Sequence, residues 1–165
     1  MSSKILVDEI VGKTTGFTSI TSGLIGKSAI YGWNSTDTTS VSNSTVTVVN
    51  LSTTNHNSNG ITTGANNRLI PTKSGTYFMF TMAQATGTGS QGYTPTMYIY
   101  KNGSSFSSRG SIRNYAGSCT LDFPTHMSVV SANGSSDYFQ MALWQNSGNT
   151  FSVNGGSVFM LRVGD

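Results

Sequence analysis

From Ser28 onward, the chain alternates apolar and polar residues in short runs that are separated by glycine, asparagine and serine. Such runs predict β-strands, because successive side chains of a strand point to opposite faces. A helix would need apolar residues three and four positions apart, and no stretch shows that spacing. About eight to ten strands, with a turn roughly every ten residues, predict an antiparallel β-sandwich or jelly roll.

Polar and glycine-rich stretches predict the breaks between these strands. We expect a long loop at residues 52–60, a glycine-rich loop at residues 87–92 and a turn at residues 154–156. The dipeptide Asn102-Gly103 predicts a tight hairpin, since both residue types accept a positive φ. The strands between these breaks would all be short.

Residues 1–27 differ from the rest of the chain. They combine a short strand-like run with a sparse Ser/Thr/Gly segment, which is too thin to form a core. A disordered tail is one interpretation, but a solvated tail would not need so many apolar side chains. We therefore predict an extended N-terminal arm (1–27) ahead of a single domain (28–165). Its predicted docking residues are Ile5, Leu6, Val7, Ile10 and Val11.

Several predicted strands are apolar on both faces. In one of them, Phe78, Phe80 and Met82 occupy one face, whereas Tyr77 and Met79 occupy the other. One face can fill a sandwich, and the second would leave an apolar patch of the kind that marks an interface. The sequence leaves open which face turns outward, and a monomer with aromatic residues under long loops is the alternative. We predict that subunit contacts bury Tyr77, Met79, Tyr98, Tyr100, Tyr138 and Trp144.

An ordered series of segments in the domain resembles the C1q/TNF-like jelly roll. The most specific is Leu69-Ile70-Pro71 followed by a turn and the aromatic strand Gly75-Thr76-Tyr77-Phe78; the others are residues 59–64, 97–103, 118–130, 137–141 and 157–162. The resemblance covers about residues 28–165 and implies a homotrimer. No collagen-like stalk, secretory signal or acidic cluster accompanies it, so a defence or cytokine role is not expected.

The beginning of the arm resembles the start of many virion proteins from phages of aquatic bacteria. The similar residues are 3–10, with the turn at residues 12–16 after them. This resemblance implies a virion component that is made in the cytoplasm of a bacterial host. Its partners would be a major capsid protein or a tail or fibre protein.

The composition is compatible with a particle surface. Only 9% of residues are charged, against roughly a quarter in an average domain, and Ser, Thr, Asn and Gly replace them. The net charge of +3 comes from scattered Lys and Arg residues, which argues against nucleic-acid binding. No stretch is long and apolar enough for a membrane span, so no membrane insertion is expected. Cys119 is the single cysteine and predicts no internal disulfide.

The sequence predicts no enzyme, cofactor or metal site. His56 and His126 stand in unrelated contexts, and the Asp and Glu residues show no paired spacing for acid–base catalysis. Two structural functions remain: a capsid decoration (cement) protein, which we favour, and a tail-fibre or tail-tip head that recognises a host surface glycan. A free sugar-binding lectin is a third possibility, for which Trp33, Tyr93 and Tyr115 are the aromatic candidates.

Overall fold

The computed structural model describes residues 28–33, 38–51, 53–57, 61–89, 92–110 and 117–164. The predicted arm and its docking residues Ile5, Leu6, Val7, Ile10 and Val11 lie outside the described residues. Within these ranges the chain forms strands and connecting turns, without a helix. The prediction of an all-β antiparallel fold is therefore confirmed.

The strands form two antiparallel sheets that face each other. Their bounds are β1 Ser28–Trp33, β2 Thr39–Val41, β3 Thr47–Val48, β4 Thr53–Asn57, β5 Ile61–Gly64, β6 Arg68–Pro71, β7 Ser74–Gly89, β8 Thr96–Lys101, β9 Ser104–Gly110, β10 Gly117–Asp122, β11 His126–Asn133, β12 Phe139–Trp144 and β13 Phe151–Gly164. Sheet A has the order β10-β7-β13-β1-β4, with β11 beside β7 and β2 beside β13. Sheet B has the order β5-β6-β12-β8-β9, with β3 beside β12.

The inner face of β7 becomes smaller along the strand. Its inward residues run from Tyr77 and Met79 through threonine and alanine to Gly87 and Gly89. The rings of Tyr93 and Phe151 fill the space over the two glycines, with their centroids 5.6 Å apart and edge to face. Small residues on one strand thus accommodate large rings from elsewhere, as the close packing of a protein core requires.

Three predicted breaks are wrong over part or all of their length, each for a physical reason. Residues 87–89 continue β7, because the missing side chains make room for rings. Residues 53–57 form β4, a polar strand at the edge of sheet A that pairs with β1 alone among the described strands. Residues 154–156 lie inside β13, where the register shifts between Val153 and Gly155. The turn signal there marks a β-bulge within one long strand.

The Asn-Gly hairpin is confirmed. Asn102 and Gly103 have φ values of 54° and 79° and connect β8 to β9. This turn lies at the end of the sandwich where β1 begins, since Ser28 pairs with Leu161 near the end of β13. We call this end the base; it includes the turns at 72–73, 102–103 and 134–138. The opposite end, with the loops at 42–46, 92–95 and 145–150, is called the tip.

Candidate interaction surfaces

The outer side of sheet A carries a broad apolar surface. Two cross-strand rows form it, Met127–Phe80–Phe159 and Val129–Phe78–Leu161. Met127 is 59% exposed and Val129 is 61% exposed, whereas the four central side chains of the two rows are half-buried. With Met82, which is 44% exposed, these residues make up what we call the apolar face. Neighbouring exposed apolar side chains of this kind are typical of a surface that another protein covers.

Tyr77 and Met79 belong to the core and not to an outer surface. Their exposed fractions are 1% and 0%, so the predicted interface assignment is wrong for these two residues. The Tyr77 hydroxyl donates a hydrogen bond to the carbonyl oxygen of Lys73 at 2.8 Å, which satisfies the phenol at the edge of the core. Burial raises the pKa of this phenol, against the opposing effects of Arg162 and of that hydrogen bond. In β7, Tyr77 and Met79 therefore point into the core, and Phe78 and Phe80 point outward, which is opposite to the prediction.

The other four predicted interface residues lie on sheet B and around the base. Tyr98 and Tyr100 point outward from β8, and their rings meet edge to face with centroids 5.9 Å apart. Trp144 is half-buried at the end of β12, and the Tyr138 ring lies 3.9 Å from the guanidinium carbon of Arg68. This outer side faces away from the apolar face. The six predicted residues therefore do not form one surface.

The apolar face contains residues that the sequence analysis missed, namely Met127, Val129, Phe159 and Leu161. A signal for two of them was available, because β11 alternates Met127 and Val129 with the buried Val130 and with His126. The exposed face of that strand is thus apolar at Met127 and Val129. Toward the tip the outer side of β7 turns polar, where the Gln84 amide donates to the Asp122 carboxylate at 3.0 Å.

A hydrogen-bonded cluster organises the base around the Asp137 carboxylate. Asp137 is 8% exposed and accepts hydrogen bonds from the Asn102 side chain at 2.8 Å and the Asn133 backbone N–H at 2.9 Å. The ammonium nitrogen of Lys101, Nζ, lies 3.0 Å from Oδ2 of the same Asp137 carboxylate. The hydrogen bond from Asn102, followed by the contact with Lys101, lowers the pKa of Asp137. The cluster ties the β8–β9 hairpin to the loop between β11 and β12.

The tip is braced by a buried amide. Gln145 is fully buried, and its Nε2 donates to the carbonyl oxygens of Val41 at 3.1 Å and Asn149 at 2.6 Å. Its Oε1 accepts from the backbone N–H of Ser147 at 2.6 Å. Tyr93, one of the aromatic candidates for sugar binding, is 1% exposed and packs in the core. Trp33 and Tyr115 are not described at the level of their side chains.

Of the two histidines that the sequence analysis considered for chemistry, the structure describes the side chain of His126. His126 is 8% exposed, and its Nε2 lies 2.9 Å from the Ser107 hydroxyl, which joins the edge of sheet A to the edge of sheet B. Burial, and secondarily Arg109, lower the pKa of this imidazole. Across the described ranges, no three His, Cys, Asp or Glu side chains lie together as a metal site would require. No helix in the described part of the chain is long and apolar enough to span a membrane.

Two facing antiparallel sheets with this strand order define a jelly roll of the C1q/TNF-like type. Three solved structures are similar to it along most of their length. Eiger TNF from S. frugiperda superposes with a TM-score of 0.56 at 10% identity, over 86% of this chain and 94% of that chain. PRD1 vertex protein P5 superposes with a TM-score of 0.56 at 18% identity, over 84% of this chain and 98% of that chain. Murine APRIL at pH 8.0 superposes with a TM-score of 0.53 at 13% identity, over 82% of this chain and 99% of that chain.

The similarity lies in the fold, since identities are below a fifth of positions. No family model and no curated protein matches the sequence. The expected C1q/TNF-like jelly roll is confirmed by these structures. The similar structures range from a TNF to a vertex protein, so the function of this chain has to be argued from its surfaces.

Proposed function

We propose that the chain is a structural, non-enzymatic protein of a phage particle, in which a homotrimeric jelly roll is attached to the particle surface by the N-terminal arm. The preferred role is that of a capsid decoration or cement protein. The apolar face carries this proposal, because a surface of exposed Met and Val around half-buried Phe needs a protein partner. The similarity to PRD1 vertex protein P5 supports a particle context for this fold.

The trimer places the apolar face against a neighbouring copy. In a closed ring of three, each contact joins two different patches, so a second exposed apolar patch is needed. Phe106 on the edge strand β9 is 47% exposed and is the described aromatic residue best suited to that role. The outer side of sheet B, with Tyr98, Tyr100 and Trp144, would then remain on the outside of the ring.

Replacing Val129 by glutamate is expected to convert the trimer into monomers that remain folded. The side chain is 61% exposed in the single chain, so the charge costs little there, but it would be buried and unpaired in the contact. Native mass spectrometry measures the outcome. Val46→Glu is the matched control, because Val46 is 39% exposed on the tip loop and away from the apolar face. A trimer that survives Val129→Glu, or a wild-type chain that is monomeric, would contradict the proposal.

Removing residues 1–27 is expected to leave a folded trimer that no longer binds particles. The arm enters at the base, where Ser28 pairs with Leu161, so its loss leaves the paired strands intact. Co-sedimentation of the truncated and full chains with particles lacking the protein measures attachment, and circular dichroism checks the fold. Continued decoration by the truncated chain would contradict attachment by the arm. Inhibition of phage adsorption by the free full chain would instead favour the receptor-binding head.

A further inference from the structure

A pocket of about 390 Å³ adjoins the apolar face on the side of the tip. The bulge in β13 forms one side of the pocket, where Gly155 and Gly156 pair with Gln84 and Ala83 of β7. A Cβ added at Gly155 would meet no atom within 4 Å, so the missing side chain leaves open space there. The volume falls in the range of pockets that hold small molecules.

The bulge beside this pocket is costly for the fold. Glycine within a strand loses more backbone entropy on folding than other residues do, and it packs no side chain. The neighbouring Asn154 also has a buried side-chain oxygen, Oδ1, without a hydrogen-bond partner in the described part of the chain. Bulges and glycines inside strands are common where a ligand or another backbone approaches closely. The shape of β13 at this place therefore suits a bound ligand.

The lining combines uncharged hydrogen-bonding groups with apolar ones. The side chains of Gln84 and Thr125 are exposed, and Gln84 is held by its 3.0 Å hydrogen bond to the Asp122 carboxylate. Met82, which is 44% exposed, adds an apolar side chain. No described Lys or Arg contributes to the lining, and the negative charge of Asp122 disfavours an anionic ligand.

We infer that this pocket binds a neutral sugar unit. The hydroxyl groups around the edge of a sugar ring match the amide of Gln84 and the hydroxyl of Thr125, and its C–H groups match Met82. The inference goes beyond attachment by the arm, and it gives the alternative receptor-binding head a specific site. Three pockets in a trimer would bind a polysaccharide more tightly than one pocket binds a single unit.

Saturation-transfer difference NMR of the full chain tests the inference. The probes are D-glucose, D-galactose, N-acetyl-D-glucosamine and L-rhamnose at concentrations up to about 10 mM, as suits a weak site. Acetate and ethylammonium are the charged comparisons. At least one of the sugars is expected to bind, and neither charged probe is expected to bind more tightly. Failure of all four sugars, or tighter binding of ethylammonium or acetate, would overturn the inference.

Two variants with matched controls locate the binding. Gly155→Phe fills the pocket and is expected to weaken sugar binding at least about tenfold, whereas Val46→Phe adds a ring on the tip loop and should change it less than about twofold. Thr125→Ala removes one hydroxyl and is expected to weaken binding about fivefold, with Ser108→Ala on exposed β9 as its control. Native mass spectrometry and circular dichroism first check that each variant folds and assembles. If Gly155→Phe does not fold, the comparison of Thr125→Ala with its control decides.

The outcomes separate the pocket from attachment to the particle. Weaker sugar binding by a folded Gly155→Phe chain that still co-sediments with particles supports a separate sugar site. Unchanged sugar binding in both pocket variants would overturn the inference, as would equal losses in the variants and their controls. A chain that attaches to particles by its arm but binds none of the four sugars would leave the attachment proposal standing and show the sugar site to be wrong.

Discussion

Replacing Gly87 by alanine is expected to lower the free energy of unfolding by about 3 kcal/mol. A Cβ on Gly87 would lie 1.7 Å from Cδ1 and 2.4 Å from Cε1 of Phe151, a ring that is fully buried. The ring cannot simply withdraw, because its edge meets Tyr93, which itself covers Gly89. Urea denaturation at a fixed protein concentration measures the loss.

A matched glycine serves as the control for this prediction. A Cβ on Gly155 would have no atom within 4 Å, so Gly155→Ala is expected to change stability by less than about 0.5 kcal/mol. Adding Phe151→Leu to Gly87→Ala should restore part of the loss, with a favourable coupling of about 1 kcal/mol or more. Equal effects of the two alanine substitutions, or strictly additive losses in the double variant, would show that ring packing is not the reason for Gly87.

Replacing Asp137 by alanine is expected to cost about 3 kcal/mol of folding free energy. The carboxylate is the acceptor for Asn102, the Asn133 N–H and Lys101, and its removal leaves these donors unpaired in a mostly buried place. Asp122→Ala is the control, because Asp122 is exposed and receives its hydrogen bond from Gln84 at the surface. Its loss is expected to cost well under about 1 kcal/mol. Similar losses in the two variants would contradict the role of the base cluster.

The same carboxylate gives the protein a defined response to acid. Because the pKa of Asp137 is lowered in the folded chain, its stabilisation is fully present above the pKa of the unfolded state, about 4. Stability is lost as the pH falls from that value toward the lower folded-state pKa. Denaturation midpoints are therefore expected to fall more steeply with acid in the wild type than in Asp137→Ala. Parallel curves would show that another group controls acid stability.

The sequence could predict the class of fold because strand alternation and turn residues act locally. Asn102-Gly103 is an example, since the two positive φ values that the hairpin needs are a property of those residues alone. Gly87 and Gly89 gave the wrong prediction for the opposite reason. Gly87 and Gly89 make room for the rings of Phe151 and Tyr93, which belong to other segments of the chain. The local glycine content does not show this packing, and it predicted a loop.

The interface residues were harder to predict, because a strand with two apolar faces has no internal signal for its phase. Tyr77 and Phe78 differ little in size and hydrophobicity, and the packing of sheet B against one side of sheet A decides which one is buried. Likewise, the grouping of Met127 and Val129 with Phe80 and Phe78 depends on pairing across strands. The interface predictions for Tyr98, Tyr100, Tyr138 and Trp144 stay untested, and the proposed trimer instead leaves Tyr98, Tyr100 and Trp144 on the outside of the ring.

The place of β13 in sheet A has a consequence for synthesis. This strand follows all other described strands in the chain, yet it pairs with β7 on one side and with β1 and β2 on the other. Sheet A therefore cannot close on the ribosome until residues 151–164 have emerged, and earlier strands wait with unpaired edges. Chains that terminate before β13 would be unable to complete the sheet.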